Sequence, residues 1–564
     1  MNILGINAVF HESSAALIVD GEVVVACEEE RFTRIKHAKE PRVDNPHELP
    51  EKAIGFCLDY AGLRARDIDR VAYSFDPRLR RAEFHADWWP DSQLEVEFLR
   101  RLDDVGDAAA TVLGRKLGRA LKFVPHHLAH AASAYYPSGF DPAAILVIDG
   151  IGEAACSTLA RGDGTRIQTI ETFSYPHSLG FLWEQTSIHL GFSPYDASKV
   201  MGLAAYGDPD IFSRKFASII QVGEDSYAVD PAALGFPSID PKRLKPKGLE
   251  PLLGPARDPE SEILPRHMHV AAALQAATNA AVVALVRRLE RSVGLQRLCV
   301  AGGVALNCVT NALITRVSPF SDIFIPPAPH DAGTAIGAAL AVHCAERGTS
   351  RSLSGATPYL GPQFGEREVL AAIKAAGLMP RRTKDAARDA ADMIADGNIV
   401  AWFQGRMEFG PRALGNRSLL ADPRRPDTRA ILNRRVKHRE DFRPFAPSVL
   451  AERADEWFEI GSPSASHEYM LLACPTRLAY RDRIPAVVHH DGTARVQLVR
   501  HEANPRFHDL ISRFFTRTGV PLVLNTSFND NEPIVCTPSD AITTFRSTGI
   551  DALFMGDIFL TSQT

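Results

Sequence analysis

Two stretches of this chain follow one plan, and the repetition restricts the folds open to it. Residues 2–7 are a short apolar run, and Ala15-Ala-Leu-Ile-Val19 and Glu22-Val-Val-Val-Ala-Cys27 follow, joined by Asp20-Gly21. An Asp-Gly pair between apolar runs predicts a two-residue hairpin turn, whose central residues need positive φ. Later, Ala143-Ala-Ile-Leu-Val-Ile148 is apolar throughout, as a fully buried strand is. Cys156-Ser-Thr-Leu-Ala160 reads as a second strand, and a Gly162-Asp-Gly164 turn leads to a third over residues 166–172. Strand, polar turn, strand, glycine turn, strand thus occurs twice, and the chain is expected to be α/β.

At 564 residues with 45% apolar side chains, the chain has material for two to four domains with sizeable cores. The duplicated plan resembles the sugar-kinase, actin and Hsp70 class, in which a nucleotide sits between two similar α/β halves; a likeness of fold fixes no chemistry. An alanine-rich run over residues 269–291 predicts a long, closely packed helix. After it, the strand Arg297-Leu-Cys-Val-Ala301 enters Gly302-Gly303, and Ala305-Leu-Asn307 opens what reads as a helix whose first N–H groups can hold a phosphate or ribose, although a lone Gly-Gly as often serves only a tight strand-to-helix turn. Residues 209–265 are proline-rich and irregular, as a lid or substrate-shaping insertion is.

Within the first half, Pro125-His126-His127-Leu128-Ala129-His130 sets two imidazoles one helical turn apart behind a proline that can open the helix. A histidine pair alone is more often a cap and a core residue. Asp149-Gly150 and Asp331-Ala-Gly333, each a carboxylate beside a flexible turn, change that balance. Two histidines with one or two carboxylates suit a borderline divalent ion: iron, zinc or manganese.

Small polar residues and glycine over 348–358 mark a linker, so domains are expected over 1–355 and 356–564. The second opens on a helix over 368–376 and a strand over 398–403, and then becomes basic: Gly405-Arg406, Gly410-Pro-Arg412-Ala-Leu-Gly-Asn-Arg417 and Lys437-His-Arg439-Glu-Asp-Phe-Arg443-Pro-Phe. Arg424 and Arg425 read as a solvated face. Flanking Gly, Pro and Phe give Arg412, Arg417, Lys437, Arg439 and Arg443 a partly apolar setting in which guanidinium groups bind phosphate bidentately. That predicts an anion pocket for a phosphorylated small molecule.

Phe10-His11-Glu-Ser-Ser, Glu28-Glu-Glu-Arg-Phe-Thr-Arg-Ile-Lys36-His37, the His126–His130 phrase, Ser198-Lys-Val-Met-Gly-Leu-Ala-Ala-Tyr-Gly207, Ala301-Gly-Gly-Val-Ala-Leu-Asn307, Gly410-Pro-Arg-Ala-Leu-Gly and Leu524-Asn-Thr-Ser-Phe-Asn529 together resemble the O-carbamoyltransferases that decorate nodulation factors, cephamycins, aminoglycosides and macrocyclic antibiotics. The likeness runs nearly end to end. It implies an actin-like first domain similar to the tRNA threonylcarbamoyladenosine transferase and a second domain similar to YrdC. Carbamoyl phosphate and ATP, with Mg alongside the ATP, would give carbamoyl-adenylate in the second domain. The first would then pass the carbamoyl group to a hydroxyl of a small natural product and release AMP.

The resemblance assigns His126, His130, Asp149 and Asp331 to a metal, with Fe(II) foremost. His11 corresponds to the general base, a role an imidazole suits, although its ordinary role in such a turn is to bond the adjacent backbone. Lys36 corresponds to a lysine at the adenylate; by itself the run from Arg31 to Lys39 reads as solvated. Gly150, Glu153, Gly302, Gly303 and Asn307 are expected at the nucleotide, and Arg412, Lys437, Arg439, Arg443, Ser527 and Asn529 at carbamoyl phosphate and ATP. The short segment Asn7-Ala-Val-Phe10 borders the acceptor, and Trp88 and Trp89 hint at a wide pocket. The acceptor itself is not legible.

A tRNA-modifying carbamoyl-adenylate transferase ranks lower, because a formal charge of -5 and the lack of a basic stripe with interleaved aromatics do not favour RNA. A non-catalytic nucleotide-binding regulator sits poorly with the basic phrases and the metal set. A zinc peptidase lacks HExxH. Eight scattered cysteines read as buried thiols of a reducing cytoplasm. No run is read as membrane-spanning and no signal segment is seen, so a cytoplasmic location is expected, without nucleic-acid or membrane partners. Monomer and homodimer both remain open.

Overall fold

A computed structural model describes residues 1–39, 45–84, 92–234, 248–348, 357–461 and 464–562. The chain forms two compact units, one of Met1–Glu30 with His37–Ala356 and one of Arg31–Lys36 with Thr357–Thr564. The short Arg31–Lys36 segment thus packs with the C-terminal part of the chain. Residues 349–356, where the linker and boundary are expected, lie outside the described residues, as do Trp88 and Trp89.

The first unit holds two five-stranded sheets. In one, β1 (Asn2–Asn7), β2 (Ser14–Val19), β3 (Glu22–Glu28), β4 (Arg70–Tyr73) and β5 (Leu121–Phe123) lie in the order β3-β2-β1-β4-β5. In the other, β6 (Ala143–Ile148), β7 (Ala155–Asp163) and β8 (Arg166–Ser174) are joined, beyond a small β9–β10 hairpin (Ile220–Val222, Tyr227–Val229), by β11 (Arg297–Ala301) and β12 (Asp322–Phe324), in the order β12-β11-β6-β7-β8. Each sheet has its first strand at the centre, antiparallel to its second and parallel to its fourth. The repeat seen in sequence is therefore a repeat of topology.

The Asp20-Gly21 turn forms as expected: φ is 50° and 91°, and Val19 faces Glu22. The second hairpin differs. Its turn is Gly164-Thr165, with Asp163 opposite Arg166, and Gly162 lies inside β7, where a Cβ would stand 2.5 Å from the Tyr135 ring. That glycine serves close packing.

Helix Pro265–Val293 extends the expected helix, opening on a proline and ending at Gly294 with φ 59°. Contrary to the reading that no run approaches a membrane span, it is long and apolar enough to be one; 67% of its apolar window is buried inside the unit. The insertion is less irregular than expected: helix Asp210–Ile219 and the β9–β10 hairpin pack against this helix. Residues 235–247 lie outside the described residues.

The second unit is an eight-stranded sheet in the order β13-β22-β21-β14-β15-β20-β16-β19. Its strands are β13 (Arg381–Arg382), β14 (Val400–Phe403), β15 (Arg417–Ala421), β16 (Ala446–Leu450), β19 (Gln497–Val499), β20 (Leu522–Ser527), β21 (Ala552–Met555) and β22 (Ile558–Thr561); β17 (Ala473–Pro475) and β18 (Thr493–Arg495) pair separately. Helices Ala386–Ala395 and Pro505–Thr518 pack on each other and on this sheet, closing a core around Trp402, Leu419 and Leu522. The expected helix is Glu366–Ala375, and the expected strand is β14. All eight cysteines are buried and unbridged.

Candidate metal centre

Helix His126–Tyr135 begins directly after Pro125, and its first N–H, that of His126, donates to Glu153 Oε1 at 3.0 Å and to Oε2 at 3.1 Å. The same carboxylate accepts Asp76 N–H at 2.7 Å. Glu153, expected from sequence at a nucleotide, is in the structure a buried cap that satisfies orphan donors. Burial raises its pKa, against the pull of His126 and the backbone donors.

The helix lies against helix Thr334–Arg347 at glycine distance. A Cβ on Gly337 would stand 1.8 Å from Ala129 O, and one on Gly5 of β1 would stand 1.9 Å from Ala335 O. Small residues thus draw β1 and two helices together. That approach carries Asp331, just before helix Thr334–Arg347, to the histidines.

His126, His130, Asp149 and Asp331 are all buried, and one ligand atom from each lies within 4.8 Å of the others. The Nε2 atoms of the two histidines are 3.2 Å apart. Asp149 Oδ2 is 3.4 Å from His126 Nε2 and 3.6 Å from His130 Nε2; Asp331 Oδ1 is 3.6 Å and 3.4 Å from them. Ligands about 2.0–2.2 Å from a tetrahedral ion are separated by ~3.3–3.6 Å, so these spacings fit a divalent cation.

Supporting contacts point the donors inward. His126 Nδ1 lies 3.0 Å from the Ser74 carbonyl, which can only accept; Nδ1 therefore carries the proton and Nε2 turns its lone pair to the centre. Gly303 N–H donates to Asp149 Oδ1 at 2.8 Å, leaving Oδ2 facing the histidines. Charge balance agrees. Burial by itself depresses both imidazoles, yet Asp149 and Asp331 outweigh it and hold them above the ordinary range. Burial by itself raises Asp149, and the histidines pull it well below the carboxylate range. Two buried carboxylates call for two positive charges, which either protons or one divalent ion provides.

His11 stands beside this set, its Nδ1 3.8 Å from Asp331 Oδ2 and its side chain 26% exposed. Its neighbours Phe10 and Glu12 have φ of 57° and 56°, so the turn is held against backbone preference. Glu12 Oε1 lies 2.6 Å from His37 Nδ1, and the His37 ring lies 5.0 Å from that of Tyr195, which meets the His11 ring edge-on at 5.3 Å.

The glycine turn is spent internally. Gly302 has φ 94°, its N–H donates to Pro329 O at 2.8 Å, and a Cβ would stand 2.2 Å from Ile148 O. With Gly303 bound to Asp149, the turn holds a candidate metal ligand where sequence suggests a phosphate loop. Residues Gly303–Leu306 form a 3-10 turn, and Asn307 caps helix Cys308–Val317 through Val309 N–H and Thr310 N–H while its amide donates to Gln275 Oε1 at 3.0 Å. Gly150 O accepts the Ser178 hydroxyl at 2.6 Å. Lys36 is exposed, in the segment that packs with the second unit. Arg31 and Lys39 are buried rather than solvated, bonding Gly410 O and Ala8 O.

Sequence reasoning missed Glu184, in helix Leu179–His189. Burial, then Asp149 and Asp331, push its carboxyl up to about 8. The signal was present: a carboxylate within Leu-Gly-Phe-Leu-Trp-Glu-Gln, a segment buried nearly all round.

In the second unit Lys437, Ser527 and Asn529 come together as expected. The buried Lys437 ammonium donates to Ser527 O at 2.5 Å, Asn529 O at 2.8 Å and Asn529 Oδ1 at 2.7 Å. Burial, then Arg439 and Arg443, push its pKa well down. Arg439 Nε donates to Asn433 Oδ1 at 2.8 Å, and its guanidinium lies 4.6 Å from the Phe445 ring; Arg443 and Arg495 are near enough to lower its pKa further after burial. Arg412 is half-buried in the loop where Glu408 Oε1 accepts Leu414 N–H and Asn416 N–H. Arg417 is a correction: fully buried, it donates to Gln404 O, Asn416 O and Pro362 O, so it staples backbone rather than opening to an anion. Arg424 and Arg425 pair with Asp422 and Asp427, as a charged face does.

Fold and site together define a two-unit α/β protein with a buried metal-competent centre in one unit and a cationic cluster in the other. The Carbamoyltransferase N-terminus family matches residues 2–340 and the Carbamoyltransferase C-terminus family residues 391–562. The chain belongs to the carbamoyltransferase family of enzymes. It is 39% identical to nodulation protein NolNO of Sinorhizobium fredii, over 99% of this chain and 80% of that protein. Nodulation protein NolO of Bradyrhizobium diazoefficiens is 40% identical over 76% of this chain and 77% of its own, and nodulation protein U of Rhizobium fredii 29% over 92% and 88%. Among solved structures, full-length HypF in the phosphate- and nucleotide-bound form aligns at 13% identity and a TM-score of 0.33, over 62% of this chain and 56% of that one.

Proposed function

We propose that the chain is an ATP-dependent O-carbamoyltransferase acting on a hydroxyl of a small molecule. In this reading the second unit, YrdC-like in role, converts carbamoyl phosphate, water and ATP to carbamoyl-adenylate with release of phosphate and pyrophosphate, and the actin-like first unit transfers the carbamoyl group and releases AMP. Nitrogen donates into a carbamoyl carbonyl and makes it a poor electrophile, so adenylation supplies the leaving group.

The observation that carries the reading is the convergence of His11 with His126, His130, Asp149 and Asp331 in one unit. His11 takes the proton of the acceptor hydroxyl, the oxygen attacks the carbamoyl carbon, and the bond to the adenylate phosphate breaks. His126, His130, Asp149 and Asp331 would hold a divalent ion, iron being the favoured candidate, and it would supply Lewis-acid stabilisation of developing charge. In the second unit Arg439, Arg443 and Arg412 hold phosphate oxygens, while Lys437 fixes the Ser527 and Asn529 turn beside them.

The test is to incubate purified protein with ATP, carbamoyl phosphate and Fe(II), with and without candidate hydroxyl acceptors, and to follow AMP and a mass gain of one carbamoyl group. His130→Ala loses metal and transfer yet keeps adenylate formation. Arg439→Ala does the reverse, transferring only from supplied carbamoyl-adenylate. Loss of both steps in either variant contradicts the division of labour.

A further inference from the structure

Between the His11 turn and the metal ligands runs a hydrogen-bonded path of small, fully buried side chains. Asn7, at the end of β1, donates its amide to His11 O at 3.2 Å and Glu12 O at 3.0 Å, and so holds the turn in which Phe10 and Glu12 take positive φ. The Asn7 Oδ1 accepts the Ser74 hydroxyl at 3.0 Å. The Ser74 carbonyl accepts a hydrogen bond from His126 Nδ1 at 3.0 Å. Thr334 lies 3.0 Å from the same Ser74 hydroxyl and donates to the backbone carbonyl of Asp331 at 2.6 Å. Asn7, Ser74 and Thr334 are each completely buried.

We infer that Asn7 and Ser74 are positioning residues, a buried relay that sets His11 at its working distance from the metal-holding set. Ser74 touches both sides with different atoms: its carbonyl orients a ligand and its hydroxyl orients Asn7, which holds the base. At 3.8 Å, His11 Nδ1 and Asp331 Oδ2 are too far apart for a hydrogen bond of their own to fix the distance. Asn7, through its bonds to His11 O and Glu12 O, holds the backbone of the turn that sets it. Removing that amide frees a turn that two residues occupy against their preference, so the imidazole leaves its place while the ligands keep theirs.

The inference rests on the proposed role of His11, so its test includes a readout that needs no turnover. In Asn7→Ala and, more mildly, Ser74→Ala, peptide-resolved labelling of His11 by diethyl pyrocarbonate should quicken severalfold. Fe(II) stoichiometry and adenylate formation should stay at the wild-type level. Transfer from supplied carbamoyl-adenylate should fall ~10²-fold in Asn7→Ala, with the acceptor KM little changed and the rate rising with pH without a plateau, as it does without an oriented base. The double variant Asn7→Ala, His11→Ala should be no slower than His11→Ala alone. Unchanged His11 labelling, or losses that add in the double variant, would overturn the relay. Altered labelling in a protein that transfers no carbamoyl group would support the relay and sink the proposed function. Should Asn7→Ala fail to fold, Ser74→Ala with rescue by Ser74→Thr carries the same tests.

Discussion

His126 and His130 owe their partnership to carboxylates that arrive from other elements, and their raised pKa values state what the centre needs. Asp149 and Asp331 hold both imidazoles above their ordinary range, so protons compete with an ion for the same nitrogens. Uptake should acidify a weakly buffered solution and strengthen as pH rises, by about tenfold per pH unit for each proton released. Uptake that is flat between pH 5.5 and 8 would contradict this. Glu153 makes the complementary case. Glu153→Ala strands the N–H groups of Asp76 and His126 and should cost about 1–3 kcal/mol in urea unfolding while leaving nucleotide affinity unchanged. Intact stability with lost nucleotide binding would restore the role its sequence suggests. Glu153 reads as a loop carboxylate because its partner amide is 27 residues away, a separation no local pattern reveals. His126 and His130 were legible because helical spacing is local.

At the scale of elements, two helices meet with no room for a methyl group at Gly337. Gly337→Ala drives a Cβ into Ala129 O, and the helices can accept it only by parting. The expected loss is about 1–3 kcal/mol of stability, with weaker Fe(II) binding in calorimetry because Asp331 and the histidines ride on these helices. A variant with unaltered Tm and metal affinity would show that the contact does not position the ligands. The hairpins show how far turn chemistry carries. Asp20-Gly21 has the φ values its residues favour, whereas Gly162-Asp-Gly164 offers two glycines, and the Tyr135 ring decides that Gly162 belongs to the strand.

Over the whole molecule, the centre and the cationic cluster belong to different compact units. Hydrogen exchange should register this. Fe(II) should protect helices His126–Tyr135 and Thr334–Arg347 and leave β14 and β15 unchanged, whereas carbamoyl phosphate should protect the segments around Lys437 and Ser527. Protection of both sets by either ligand alone would mean that the two sites act as one.

The sequence by itself determined what rests on local periodicity and turn residues: the duplicated strands, the proline-led histidine helix, the Asp-Gly turn and the list of basic residues. Tertiary structure alone decided which polar groups were already taken. Arg417 became a backbone staple, Glu153 a helix cap, Gly303 a ligand's donor and Lys437 a buried ammonium bonded to the Ser527 and Asn529 turn, because buried polar groups must find partners wherever the fold brings them. It also set Asn7 and Ser74 between His11 and the cluster of His126, His130, Asp149 and Asp331, a placement made by neighbouring parallel strands, with Asn7 and Ser74 standing 67 apart in the chain.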